Sequence, residues 1–177
     1  MIRALATALI LTFAASACST IQTYEILHQP TDRQLSTHVG GQVMRIARSS
    51  DLPNAFGKAD VFGGKVDRGF TELRFQGLAP DGRLVFRVTE IETASTETTM
   101  SRYGVRQTTF NATQFGNTVT GNVTTFDPPR GSTDRLPPNT TQFAVAQGTR
   151  EFTVAGIRVV LLQATETSLL YELRRGG

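Results

Sequence analysis

The chain has 177 residues, one cysteine, no tryptophan and a formal charge of only +3. That is long enough for one domain with its own core, and it excludes an intramolecular disulfide framework or a Cys-based zinc site. Its basic groups are mostly arginines interleaved with acids, as in Arg68–Glu72–Arg74 and Arg83–Arg87–Glu90–Glu92, so no basic stripe marks a nucleic-acid surface. A domain near this size buries roughly 70% of its unfolded surface and needs no staple. Abundant Thr, with Ala, Leu and Lys sparse after residue 17, favours strands over helices.

Met1–Arg3 is a short basic start. Residues 4–15 form a compact apolar run, and Ala15-Ser16-Ala17-Cys18 follows. These are the parts of a cleavable secretory signal, residues 1–17. The run, at about twelve residues, is too short to span a bilayer, which takes roughly 20. No later segment comes near that length.

The end of this signal resembles the lipobox of bacterial lipoproteins, in which small residues precede a cysteine that is acylated and becomes residue one of the mature protein. The resemblance covers residues 1–18 and does not extend to the domain. Ala15 stands where that family usually carries Leu. Ala15-Ser16-Ala17 also suits the ordinary signal peptidase, so plain secretion is the alternative. The sole cysteine lies directly after the cut, which favours lipidation of Cys18. The resemblance implies a palmitate-type anchor of several acyl chains. Each buried CH₂ contributes about 0.8 kcal/mol, and two or more chains hold stably. With Ser19 rather than Asp after the cysteine, it further implies the outer membrane, facing the periplasm.

Residues 18–34 are polar, contain Pro30 and read as a flexible tether, with a short strand near Tyr24–Leu27. From residue 35, period-two alternation predicts one all-β domain over 35–177. Leu35, Thr37 and Val39 run into Gly40-Gly41, and Gln42 to Arg48 follows with Met44 and Ile46 on one face. This is a tight-hairpin signal. A loop is expected over 49–69. Phe70–Gln76, the turn residues Ala79-Pro80-Asp81-Gly82, and Leu84, Phe86 and Val88 make the clearest hairpin.

Residues 93–126 are rich in Thr, Asn and Gln. Thr108-Thr109-Phe110, Thr124-Thr125-Phe126 and Thr140-Thr141-Gln142-Phe143 echo one another, too briefly to define a solenoid. Paired prolines make 127–139 a second long loop. Val159-Val160-Leu161-Leu162 reads as a central strand, apolar on both faces. The fold class expected is all-β: a single sandwich or small barrel of antiparallel strands, preceded by a cleaved signal helix and the tether.

The stretch 51–69 is the most unusual. Phe56-Gly57-Lys58-Ala59-Asp60 is echoed by Phe62-Gly63-Gly64-Lys65-Val66-Asp67. The Gly-Lys pairs fail as a phosphate loop, because Val66 stands where Ser or Thr is required. Asp51, Asp60 and Asp67 match no calcium-loop spacing. The ordinary reading is a surface loop with solvated charges and Phe56 and Phe62 tucked beneath it. The functional reading makes Phe56, Lys58, Phe62, Lys65 and Arg68 a contact surface, since aromatic and Arg side chains favour interface anchors.

His28, His38 and Asp32 lie in or beside the tether and are expected to be solvated rather than metal ligands. Glu90 and Glu92 share a strand face, which invites a glycosidase comparison; a solvent-facing pair is the simpler account. No nucleophile motif is present, and no cofactor or metal is implied.

The expectation is therefore a lipid-anchored envelope protein with a non-enzymatic β-domain that contacts another envelope protein, in an accessory, assembly or structural role. The alternative is a glycan or small-ligand module using the Thr/Asn-rich strands, and a hydrolase is third. A contact surface requires Phe56 and Phe62 to be exposed. A ligand module requires a concave polar pocket, and an enzyme requires titratable groups converging in one.

Overall fold

The computed structural model describes residues 19–115 and 118–176; the signal segment and Cys18 lie outside these. About 60% of the described residues are strand and 3% helix, in open antiparallel sheets rather than a closed barrel. The described strands are β1 (Thr23–Leu27), β2 (Gln34–His38), β3 (Gln42–Asp51), β4 (Lys65–Leu78), β5 (Leu84–Ser95), β6 (Gln107–Phe115), β7 (Thr118–Phe126), β8 (Thr133–Arg135), β9 (Asn139–Val145), β10 (Glu151–Val154), β11 (Ile157–Ala164) and β12 (Ser168–Arg175). One short helix, α1 (Thr99–Tyr103), lies between β5 and β6. No described helix is long and apolar enough to cross a membrane.

The chain forms two compact units. The larger comprises Thr23–Ser49, Asp67–Ala94 and the chain from Asp134 onward. It carries nearly all of a six-stranded sheet in the order β1-β3-β4-β5-β8, with β9 also pairing β5, and a four-stranded sheet in the order β10-β11-β12-β2. The apolar faces of the two sheets form one core. Met44, Leu73, Phe75, Leu84 and Phe86 come from the first sheet, and Ile157, Val159, Leu169, Tyr171 and Leu173 from the second. The alternation of β4 and β5 sets this up. Leu73 opposes Val88 and Phe75 opposes Phe86, so one sheet face is continuously apolar. The connecting turn closes with Ala79 N–H donating to Arg83 O (2.8 Å), and Gly82 sits at φ +80°.

Several local expectations change. Within the stretch read as a tether, the short strand expected near Tyr24–Leu27 is β1, the edge strand beside β3, so this part of the stretch is sheet and not free linker. Leu35–Arg48 is not a paired hairpin. β2 joins β12 in one sheet and β3 joins β1 and β4 in the other, so Gly40-Gly41 turns a corner between sheets. The backbone of this corner is held instead by β4: Gly40 N–H donates to Phe75 O (2.7 Å) and Phe75 N–H to Gly41 O (3.1 Å). The 49–69 loop is shorter than expected, because β3 runs to Asp51 and β4 starts at Lys65. Within 127–139, β8 pairs at the sheet edge. β11 is central in its sheet but buried on one face: Val159 is enclosed, while Leu162 sits at a register shift between Leu161 and Gln163 and is 48% exposed.

The smaller unit comprises the described residues up to Gln22, together with Ser50–Val66 and Ser95–Thr133. It contains α1 and a two-stranded ribbon, β6–β7. Sequence periodicity did not reveal α1, which is about one turn long. It is started by a reciprocal cap in which Thr98 Oγ1 accepts from Ser101 N–H (3.3 Å) and Ser101 Oγ accepts from Thr98 N–H (2.8 Å).

Candidate functional site

The segment between β3 and β4 folds as twin turns, and the six-residue echo in the sequence is their signature. In the first, Asn54 Oδ1 accepts from Phe56 N–H (2.9 Å) and Lys58 N–H (3.0 Å). In the second, Asp60 Oδ1 accepts from Phe62 N–H (3.2 Å) and its Oδ2 accepts from Gly64 N–H (2.9 Å). Each turn thus starts with a carboxamide or carboxylate that closes on backbone two and four residues later. Each has Phe at the third position and a glycine in the left-handed region at the fourth, Gly57 at φ +68° and Gly63 at φ +74°. Asn54 was not singled out from the sequence, and Asp60 was weighed there only as a calcium ligand; their spacing of six, each two residues before a Phe-Gly, was the available signal.

The base of the turns is anchored. Leu52 and Ala59 are buried. Leu52 N–H donates to Gly64 O (2.8 Å), Asp60 N–H to Leu52 O (2.8 Å), and Thr99 N–H of α1 to Pro53 O (2.8 Å). Asp51, also buried, accepts from Gln22 N–H (2.9 Å) and from Lys65 Nζ (2.5 Å). Arg102 donates to Lys65 O (2.8 Å) and pairs with Glu97, whose carboxyl is held below the usual range by that guanidinium. At the other end, Ala59 N–H donates to Ser19 O (3.1 Å), so the residue that follows Cys18 is fixed against the turns.

The tips point away from all this. Phe56 is 88% exposed and Phe62 87%, with Val61 and Lys58 also exposed. The ordinary reading required both rings to be tucked under the loop, and they are not. Of the five candidate contact residues, Phe56, Lys58, Phe62 and Lys65 lie in the smaller unit, with the Lys65 ammonium engaged by Asp51. Arg68 is half-buried in β4 and belongs to the larger unit.

The aspartates do not converge on a cation. Asp51 meets Gln22 and Lys65, Asp60 closes its turn, and Asp67 accepts from Gly69 N–H (2.8 Å). Among the described residues no group of three or more His, Cys, Asp or Glu side chains is placed to hold a metal. Glu90 accepts from Thr71 Oγ1 (3.2 Å) within the β4–β5 ladder. A cleft of about 320 Å³ in the larger unit is lined by Leu78, Leu84, Leu161, Gln163 and Arg150, the last being its one charged residue. No acid–base pair meets there.

No family model matches the sequence, and neither a curated protein nor a solved structure is similar to it.

Proposed function

We propose that the protein is a lipid-anchored component of a bacterial cell envelope that acts by contact, presenting Phe56 and Phe62, with Lys58 between them, to another envelope protein. The observation that carries this is the display of two nearly bare phenylalanines on turns braced by backbone and side-chain bonds. Exposing two large rings costs solvation unless something covers them. Bracing the loop in advance reduces the ordering entropy that binding must overcome. Acylation of Cys18, by the lipobox resemblance, would put the anchor one residue from Ser19. The turns would then stand close to the membrane surface, raising the effective concentration of any membrane-bound partner.

Two measurements test this. Cys18→Ser should leave an unprocessed or soluble protein; a variant still fractionating with membranes would refute the lipid anchor. In-cell crosslinking of the native protein, followed by mass spectrometry, should recover one envelope protein. The doubly substituted Phe56→Ser/Phe62→Ser variant should lose it while keeping the wild-type unfolding midpoint. Recovery of lipid alone, or of the same protein from both, would refute a contact through these rings.

A further inference from the structure

The β6–β7 ribbon takes no part in the twin turns and has an unusual combination of features. It is a sheet of two strands only, running in unbroken register from Gln107 opposite Phe126 to Phe115 opposite Thr118. Neither outer edge is paired among the described residues. Between Gln107 and Phe126 there is no charged residue and no proline. Exposed edges are usually blunted by Lys, Pro, bulges or short strands, because a row of free N–H and C=O groups templates another strand. This ribbon has none of those safeguards. It also exposes a directly opposed apolar pair, Phe110 (63%) and Val123 (64%). Gly121 leaves room for the Phe110 ring, since a Cβ there would come within 2.6 Å of it. A lone two-stranded hairpin is marginal in water, and added strands relieve that.

What the edge is built to receive is written in β7. The strand reads Thr-Val-Thr-Gly-Asn-Val-Thr-Thr-Phe, with Asn122 at its centre and Thr120 and Thr124 two residues to either side. If β7 pairs antiparallel with β7 of a second copy about a two-fold axis at Asn122, Asn122 opposes itself. Thr120 opposes Thr124 on both sides of the axis, and Val119 opposes Thr125. Thr–Thr and β-branched pairs across antiparallel strands are favourable, and an uncharged strand meets its own copy without like-charge repulsion. Six of the nine β7 residues are Thr or Val, against three in β6, so β7 is the stickier edge. We infer that two copies of this chain associate through β7, joining their ribbons into one four-stranded antiparallel sheet with its two-fold axis at Asn122. The interface is isologous, so it closes at a dimer.

The test is Asn122→Cys in the full-length protein in cells, with Thr125→Cys as the register reference. Directly opposed residues in antiparallel pairs have Cα atoms about 4.5–5.5 Å apart, inside the disulfide range of about 4.4–6.8 Å. Asn122→Cys should give a reducible dimer, several-fold more abundant than Thr125→Cys gives, because position 125 faces 119 rather than itself. Thr124→Lys in the Asn122→Cys chain should abolish it. A strictly monomeric Asn122→Cys chain with wild-type far-UV dichroism overturns the inference. So does equal crosslinking at 125, or crosslinking of Asn111→Cys in its place. Sedimentation of the otherwise unaltered protein in mild detergent guards against a substitution effect, and a monomer mass there also overturns it. The clean background rests on Cys18 being blocked by lipid. Dimers from the unsubstituted chain would refute that reading alone, and the same comparison would then be made in Cys18→Ser.

Discussion

Tyr171 shows how one side chain ties distant segments. Its hydroxyl donates to Val43 O at 2.7 Å across 128 positions of sequence, joining the two sheets inside the core. Burial pushes the phenol up to about 12. The unfolded phenol ionises near 10, so between pH 10 and 12 the unfolded state releases a proton that the folded state keeps. Stability therefore falls as pH rises through that window, each pKa unit of difference corresponding to about 1.4 kcal/mol. Tyr171→Phe should cost about 1–3 kcal/mol at neutral pH, because Val43 O is left buried without its donor, and should flatten the alkaline slope. Urea unfolding at pH 7 and pH 11 measures both. Glu72 makes a related point. Its place among interleaved arginines and acids in the sequence does not mark it as enclosed, yet it is buried between Arg45 (3.6 Å) and Arg74 (2.5 Å), with Arg45 stacked 3.6 Å over the Phe70 ring.

At the scale of elements, glycines with similar backbone angles do different work. Gly57 turns the chain at a tip, where an added Cβ would meet nothing. Gly69 sits within β4 at φ +100°, and a Cβ there would lie 1.9 Å from Ile91 O on β5. A glycine inside a strand often marks such a close backbone approach. Gly57→Ala should therefore cost about 1–2 kcal/mol, the penalty of a left-handed conformation. Gly69→Ala should cost more than twice that, because the ladder itself must move. Denaturant midpoints of the two variants decide it, and equal losses would refute the steric account. The β4–β5 hairpin was legible because its turn chemistry and alternation agree. The Gly40-Gly41 corner was not, because a turn signal does not say whether the strands it joins pair with each other or part into different sheets.

At the scale of the whole molecule, two classes of phenylalanine separate. Phe86 is fully buried, with ring centroids 5.6 Å from Phe75, 5.8 Å from Phe143 and 4.8 Å from Phe152, so it holds β4, β9 and β10 together. Phe86→Ala should destabilise by about 3–5 kcal/mol in urea. Phe56→Ser and Phe62→Ser should each lie within about 0.5 kcal/mol of wild type, as surface changes do. A loss of partner recovery in the latter can then be read as lost contact and not as unfolding.

Both classes are Phe in a β-rich sequence, and composition does not tell them apart. For Phe75 and Phe86, alternation with polar neighbours already marked a core face. For Phe56 and Phe62, the local sequence allowed rings packed beneath the loop as readily as rings turned outward. Period-two patterning, turn residues and the scarcity of helix formers determined an antiparallel all-β protein, because strand formation depends on local alternation. Which strands share a sheet, which way the twin turns point, and that Glu72 is enclosed were decided only in three dimensions. Each of these depends on partners tens of residues away, and local patterning carries no record of them.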